Sequence, residues 1–511
     1  MKEKHTSKKQ SSGIAGRVLT AAVFSLLLFL SLALIWAGQN FGSVGMDEIL
    51  FTLNMPLDGS GSGLIQDFIC WAVIPSLLVL ILSLVWAVWS GKRKKHSEES
   101  QKRYKKSVWL VGGAWALVLL LITNWNFGVM GFLYNQFNQS ELIEQEYVDP
   151  NTVQLKFPEK KRNLIYLFLE SGESSTQDKA NGGLFDVNYT PEMTEIAKEN
   201  VSFSHSDLIE GAAVAPACGW TMAGMVAQFA GLPLKLYKYD DRNVDNSMSQ
   251  YSQFLPGVTN LGDILEQEGY NNYFMLGSDV TFAGQDHYMK QHGNYEIFDY
   301  CSAIREKKIP KDYFVWWGFE DVKLFEYAKE KITELSKQEE PFNFCFITID
   351  THGPDGYRCN KCKNEHPEQY GNVWSCSSRQ IGEFIDWVKQ QPFYEDTTIV
   401  ICGDHCSMDP NFYKDYPYDK HRGETVRKVY NAILNPAGEP KQEHNRKFTT
   451  LDMFPTTLAA MGVEIEGERL GIGTNLFSDT PTLAEEYGYE SLFKELNRKS
   501  SFYNEKFLYA Q

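Results

Sequence analysis

The pattern of hydrophobic residues divides the chain into two regions. Three long apolar runs lie in the first quarter: Val18 to Ala37, Phe68 to Trp89, and Val108 to about Leu133. Each run is long enough for a helix that crosses a bilayer core of about 30 Å, which takes about 20 residues. The pattern therefore predicts a membrane domain of residues 1–135 with three transmembrane helices. A cleaved signal peptide is the alternative for the first run, but no A-x-A site follows Trp36.

The charges of the loops between these runs predict the orientation. The segment from Lys92 to Lys106 carries eight Lys and Arg residues, whereas the segment from Gly38 to Asp67 carries four acidic residues and no basic one. Loops rich in Lys and Arg stay in the cytoplasm. We therefore expect a multi-pass protein of the cell membrane, with a cytoplasmic N-terminus and an extracytoplasmic region after about Tyr134.

After the membrane domain the pattern changes to short apolar strands separated by helical segments. Residues 136–160 are polar and are predicted to be a stalk, and residues 481–511 a C-terminal helical segment. Residues 161–480 are predicted to form the catalytic domain, an α/β fold with a mostly parallel sheet between helices. Its predicted strands are Asn163–Leu169, Asn272–Leu276, Phe342–Ile349, Thr398–Cys402 and Val429–Leu434.

The amino-acid composition and charge limit the kinds of molecule that the protein is expected to bind. The 511 residues are 43% hydrophobic and 22% charged, as in ordinary folded proteins. The first 106 residues hold 13 Lys and Arg against 7 Asp and Glu, while the rest hold 36 against 58. Because the region outside the membrane is acidic, nucleic acid is excluded as a partner.

Three of the nine cysteines are close in sequence. Cys359 and Cys362 form a C-x-x-C pair and Cys376 follows, an arrangement that resembles part of a zinc site but has no second pair. For a segment outside the cytoplasm, a disulfide among these three is the favoured interpretation. Cys345 and Cys402 fall inside apolar strands and are predicted to be core residues.

Polar residues follow several predicted strands. Glu170 follows the first strand, Asp350 and His352 follow the third, and Asp404 and His405 follow the fourth. The carboxyl ends of parallel strands meet at one edge of a sheet, where functional residues concentrate. Singly, each acid is an N-cap more often than a ligand. Together they predict a site for a divalent cation such as Mn²⁺ or Zn²⁺.

The segment Gly211–Leu232 consists mostly of small and apolar residues, and its Thr221 is predicted to begin a helix. Such a hydroxyl is ordinarily an N-cap. The same position also directs backbone N–H groups at an anion. Beside a metal ion, a threonine hydroxyl can act as a nucleophile toward phosphorus.

Five segments together resemble the phosphoglycerol transferases of the lipoteichoic acid synthase type, with the branch that modifies periplasmic glucans as the closest match. They are NLIYLFLES at 163–171, CGWTMAGMVA at 218–227, TIDTHGPDG at 348–356, FYEDTTIVICGDH at 393–405 and LDMFPTTLAAMGV at 451–463. The resemblance implies the alkaline phosphatase and sulfatase superfamily. It implies transfer of glycerol phosphate from phosphatidylglycerol, through a threonine-linked intermediate, to a hydroxyl of an envelope glycan or a teichoic-acid-type polymer.

The resemblance also implies roles for individual residues. Glu170, Thr221, Asp404 and His405 match the metal-binding positions, with Thr221 as the nucleophile and Mn²⁺ as the usual ion, Zn²⁺ or Mg²⁺ being alternatives. His352 matches a histidine that contacts glycerol phosphate. An aromatic residue and an Arg are expected within Asp279–Gln285, where Phe282 fits the aromatic position and no Arg is present.

Three other functions are weighed against this one. A sulfatase is disfavoured because the segment around Thr221 lacks the C/S-x-P-x-R pattern. A phosphoethanolamine transferase would share the threonine and the metal, but two zinc ions and more histidines would be expected. A catalytically silent relative that binds lipid or polymer is the alternative from a different class.

Overall fold

The computed structural model describes residues 2–41, 45–54, 62–93, 98–235, 253–417 and 423–509. Contacts divide the chain into one compact unit of residues 1–42 and 60–130 and another of residues 43–59 and 131–511. Among the described residues, three helical segments are long and apolar enough to cross a membrane: Gly16–Asn40, Ile65–Ala87 and Lys102–Phe127. They match the three spans that the hydrophobic pattern predicts.

In the described part of the chain, seven α-helices precede the first strand. They are α1 (Lys2–Phe41), α2 (Met46–Asn54), α3 (Ser62–Phe68), α4 (Ile74–Arg93), α5 (Glu98–Phe127), α6 (Val129–Phe137) and α7 (Leu142–Glu146). The third apolar run was predicted to continue to about Leu133, but α5 ends at Phe127. Gly128 follows with φ +61° and separates α5 from α6. This left-handed conformation is one that glycine adopts readily, and it ends the regular helix.

Among the residues that the structure describes, twelve strands follow, and six of them form the central sheet. The strands are β1 (Leu155–Lys156), β2 (Asn163–Leu169), β3 (Ala212–Val214), β4 (Asn271–Leu276), β5 (Glu296–Phe298), β6 (Phe342–Ile347), β7 (Thr397–Gly403), β8 (Glu424–Val429), β9 (Asn431–Leu434), β10 (Glu464–Ile465), β11 (Arg469–Leu470) and β12 (Gly473–Thr474). The central sheet has the order β5-β4-β6-β2-β7-β9. Five of its strands are parallel, and β9 is antiparallel to β7.

The predicted mostly parallel α/β sheet is confirmed, with one error in its strands. The strand predicted at Val429–Leu434 is two elements, because Val429 ends β8, which pairs with β3 in a separate two-stranded sheet. Tyr430 lies between them, and its N–H bonds the carbonyl oxygen of Gly172. Only Asn431–Leu434 joins the central sheet, where it forms the antiparallel edge.

Both faces of the sheet are covered. Leu164, Tyr166 and Phe168 of β2 pack into one buried apolar cluster, and Ile165 and Leu167 pack into another. Alternate residues of a strand point to opposite faces, so an unbroken apolar strand needs cover on both. The α-helices described after α7 are α8 (Pro191–Glu199), α9 (Thr221–Ala230), α10 (Leu261–Gln267), α11 (Gln285–Gln291), α12 (Tyr300–Arg305), α13 (Asp321–Leu335), α14 (Gln369–Lys389), α15 (Met453–Ala460), α16 (Leu483–Tyr487), α17 (Tyr489–Asn497) and α18 (Ser501–Tyr503).

The segment predicted to be a stalk contains ordered structure. Leu142 and Ile143 of α7 are buried in the same apolar cluster as β2, and β1 pairs with β10. The division of the chain at residues 135, 160 and 480 stays a prediction.

The disulfide expected among Cys359, Cys362 and Cys376 is absent from the structure. All three are free cysteines, and the Sγ atom of Cys359 is 3.6 Å from that of each of the other two. A disulfide joins its sulfur atoms at about 2.05 Å. Cys345 and Cys402 are buried in strands β6 and β7, as predicted.

Candidate active site

Three side chains from the ends of two adjacent strands converge. Glu170 directly follows β2, while Asp404 and His405 directly follow β7, the neighbour of β2 in the sheet. His405 Nε2 lies 3.7 Å from Glu170 Oε1 and 3.4 Å from Asp404 Oδ2. One ligand atom from each residue lies within 4.8 Å of the other two, and all three residues are buried. The group has the composition and size to hold a metal ion.

Thr221 is the first residue of α9, and its hydroxyl faces this group. Thr221 Oγ1 lies 3.3 Å from Glu170 Oε2 and 3.4 Å from His405 Nε2. Trp220, not Thr221, occupies the N-cap position, and no side chain caps the helix there. The hydroxyl is thus directed at the carboxylate and the imidazole, whereas an N-cap would direct it at backbone N–H groups.

Glycines let the backbones that carry these residues approach closely. A Cβ on Gly224 of α9 would collide with the carbonyl oxygen of Asp404. A Cβ on Gly403 would collide with the carbonyl oxygen of Gly172. Ser171 has φ +56°, and its N–H donates to Asp404 Oδ1 at 2.8 Å while its hydroxyl donates to Glu170 Oε1 at 2.7 Å. Such a conformation in a non-glycine residue is costly and is held by the surrounding contacts.

The electrostatics of the buried carboxylates fit a cation. Burial raises the pKa of Asp404 well above its usual value, and the nearby Glu170 carboxylate adds to the increase. Burial also opposes ionisation of Glu170, but His352, His405 and the Ser171 hydroxyl outweigh it, so the pKa of Glu170 is lowered. Asp404 Oδ2 is buried without a hydrogen-bond partner. An unpartnered carboxylate oxygen beside a second carboxylate and an imidazole is what a divalent cation would satisfy.

The tautomer of His405 is fixed by its other ring nitrogen. Nδ1 lies 2.8 Å from the carbonyl oxygen of Cys406, which can only accept, so Nδ1 carries the proton. The lone pair is therefore on Nε2, the atom that faces Glu170, Asp404 and Thr221. Histidines that bind metals commonly donate their second N–H in this way.

His352 and Phe282 are linked by an aromatic residue that the sequence analysis did not identify. The ring of Trp317 lies 4.8 Å from that of His352 and 5.7 Å from that of Phe282, centroid to centroid. His352 is near enough to Glu170 to lower the pKa of that carboxyl. Asp350, in contrast, accepts a hydrogen bond from the N–H of Asp321 and is not among the three residues that could hold a metal ion here.

A buried ion pair supports the segment after His405. Arg427 Nε donates to Glu173 Oε2 at 3.0 Å, and its Nη2 donates to the carbonyl oxygen of Ser407 at 2.7 Å. Glu173 Oε1 accepts from the N–H of Ser407 at 2.6 Å. The guanidinium lies 3.7 Å from the centre of the Tyr413 ring. Glu173 lies three residues after Glu170 in the sequence, but nothing in the sequence pairs it with Arg427.

Comparison with known proteins agrees with the expected family. A sequence model described as Sulfatase matches residues 162–463. Phosphoglycerol transferase I of Escherichia coli is 30% identical over 486 residues, which are 90% of this chain and 56% of that protein. The protein of the same name from Salmonella choleraesuis is 30% identical over 476 residues, with the same coverage. The chain thus spans about half the length of the curated relatives it matches.

A solved structure agrees with the fold. A protein of the alkaline phosphatase superfamily from Vibrio parahaemolyticus superposes with a TM-score of 0.50 and 20% identity. The match covers 68% of this chain and 79% of that one. At this level of identity the likeness concerns the fold alone.

Proposed function

Because this chain belongs to the sulfatase family, we propose that it is a membrane-anchored, metal-dependent phosphoglycerol transferase that uses Thr221 as its nucleophile. The donor is phosphatidylglycerol, and the acceptor is a hydroxyl of an envelope glycan or a teichoic-acid-type polymer. The observation that carries the proposal is the position of Thr221 Oγ1, 3.3 Å from Glu170 and 3.4 Å from His405 at the start of a helix. The relatives named phosphoglycerol transferase I support the choice of donor.

Glu170, Asp404 and His405 would hold one divalent cation, with Thr221 as a fourth ligand or close neighbour, and Mn²⁺ is the ion we propose. When bound, the cation supplies Lewis-acid stabilisation of charge on the phosphoryl oxygens. The donor set of two carboxylates and one imidazole suits an ion of intermediate hardness.

The residues of the site carry out the bond formation and the proton transfers of the proposed reaction. The Thr221 oxygen forms a bond to phosphorus as the bond from phosphorus to the diacylglycerol oxygen breaks. The hydroxyl proton passes to Glu170 Oε2, 3.3 Å away, and the departing oxygen, on the opposite side of phosphorus, takes a proton from solvent. The start of α9 directs backbone N–H groups at the phosphate. A hydroxyl of the acceptor then attacks the phosphorus of the threonine ester and loses its proton to solvent, while the departing Thr221 oxygen regains the proton held by Glu170, which gives ping-pong kinetics.

The test uses the full-length protein in detergent with Mn²⁺ and radiolabelled lipid. Release of diacylglycerol from phosphatidylglycerol, prevented by a chelator and restored by Mn²⁺, is the expected result. Turnover of phosphatidylethanolamine instead would identify a phosphoethanolamine transferase. Binding of either lipid without any turnover would identify a silent relative, and both outcomes would contradict the proposal.

The first prediction concerns how the site binds the head group of the donor lipid. Replacing Trp317 with Ala should raise KM for the lipid about fivefold with a smaller effect on kcat, because the ring lies between His352 and Phe282 and aromatic contacts contribute about 1 kcal/mol. Steady-state kinetics measure both constants. Trp316→Ala is the matched control, since that ring stacks near Tyr357 instead. An equal rise in KM in both variants would contradict a role for Trp317 in head-group binding.

A second prediction concerns orientation. A cysteine placed at Glu144 should react with an impermeant maleimide in whole cells, whereas one at Lys102 should react only after lysis. Both side chains are exposed, so burial does not limit the reaction. The motivation is the excess of positive charge between Lys92 and Lys106. The unmodified chain gives the background from its own cysteines, and labelling at Lys102 in intact cells would refute the proposed orientation.

A further inference from the structure

Three sulfur atoms outside the proposed active site form a compact triangle. Cys359 and Cys362 lie in the segment after β6, and Cys376 lies in the second turn of α14. Cys359 Sγ is 3.6 Å from the Sγ atoms of both partners, and all three lie within 4.8 Å of one another. Thiolates at two corners of a tetrahedron around Zn²⁺, each about 2.3 Å from the ion, are about 3.8 Å apart. The triangle therefore has the dimensions of one face of a zinc–thiolate tetrahedron.

Gln380 gives an independent indication. It lies one helical turn after Cys376, is buried, and places its Nε2 atom 3.7 Å from Cys376 Sγ and 4.0 Å from Cys359 Sγ. Its Oε1 atom is buried with no hydrogen-bond partner. Rotation of the amide by about 180° exchanges these two atoms, which have nearly the same shape. A buried amide directed at two of the three sulfur atoms is a feature that an apolar cysteine cluster would not need.

We propose that Cys359, Cys362 and Cys376 bind one Zn²⁺ ion as thiolates, with the Gln380 amide beside the fourth coordination position. Binding releases the thiol protons to solvent and leaves no sulfur oxidised. The ion would fasten the segment after β6, which also contains His352, to helix α14. This zinc site is separate from the cation site proposed at Glu170, Asp404 and His405. The zinc proposal does not depend on the proposed transferase activity.

The first test uses Co²⁺ as a spectroscopic probe with the full-length protein, purified in detergent with its thiols reduced and its metals removed. We expect one equivalent of Co²⁺ to produce the thiolate-to-cobalt charge-transfer absorption, which Zn²⁺ then abolishes. Cys376→Ser and the milder Cys362→Ser should lose this absorption. The controls Cys301→Ser and Asp404→Ala should keep it, because the first cysteine lies elsewhere and the second variant removes only the other site. Absence of the absorption in the wild type, or its persistence in Cys376→Ser, would overturn the proposal.

The second test examines the protein as cells make it. Membranes are denatured in an alkylating reagent without reductant, and mass spectrometry counts the modified cysteines. Alkylation of Cys359, Cys362 and Cys376, with zinc in the protein isolated under native conditions, is the expected result. A peptide pair joined by a disulfide between any two of them would overturn the proposal and restore the interpretation from the sequence.

Discussion

Replacing Thr221 with Ala is expected to lower diacylglycerol release at least a thousandfold while divalent-cation binding persists. A thousandfold loss corresponds to about 4 kcal/mol of transition-state stabilisation. The reason is that Thr221 Oγ1 is the hydroxyl that faces Glu170 and His405, and without it the lipid phosphate has no group to attack it. Release of labelled diacylglycerol measures the reaction, and Mn²⁺ titration calorimetry measures the cation.

Two further variants test whether the loss of activity is due to the Thr221 hydroxyl itself. Thr221→Ser keeps an oxygen at the same position and should retain substantial activity. Thr457→Ala removes a buried helical hydroxyl that bonds the carbonyl oxygen of Met453 and lies outside the group of Glu170, Asp404 and His405, and it should remain active. Near-normal turnover by Thr221→Ala would show that this threonine serves the helix terminus and that the nucleophile is another residue.

The convergence of Glu170, Asp404 and His405 was predictable because these residues follow strands that are themselves easy to recognise. Glu170 follows Asn163–Leu169, and Asp404 follows Thr397–Gly403, both continuous apolar runs buried on two faces. In a parallel sheet the order of strands does not change which edge their carboxyl ends share. The sequence was therefore enough to predict that these residues meet at one edge of the sheet, without knowledge that β2 and β7 are neighbours.

Other parts of the site depend on contacts that no local pattern encodes. Trp317 precedes α13 rather than following a strand, and only the fold places it between Phe282 and His352. The pairing of Glu173 with Arg427 joins residues 254 positions apart. The break at Gly128 was missed for a different reason, because hydropathy alone continues through it and the left-handed backbone does not show in the apolar pattern.

The Glu173–Arg427 pair carries the second large expected effect, on stability. Both side chains are almost completely buried, at 0% and 2% exposure. Burial lowers the pKa of Arg427, but Glu173 more than compensates and raises it. Breaking a buried pair leaves one charge without a counter-ion and costs about 3–5 kcal/mol. Glu173→Gln should therefore lower the free energy of unfolding of this unit by about that amount, measured by chemical denaturation in detergent.

The exposed pair Lys156–Glu464, with side chains 65% and 73% exposed, provides the matched control. Glu464→Gln should cost less than about 1 kcal/mol, since water screens exposed charges. The double variant Glu173→Gln with Arg427→Met removes both buried charges and should recover part of the lost free energy of unfolding.

Because Glu173 and Arg427 both bond the backbone of Ser407, two residues after His405, Glu173→Gln should also weaken Mn²⁺ binding. Equal costs for Glu173→Gln and Glu464→Gln would mean that the buried pair neither stabilises the unit nor holds the segment that carries Asp404 and His405.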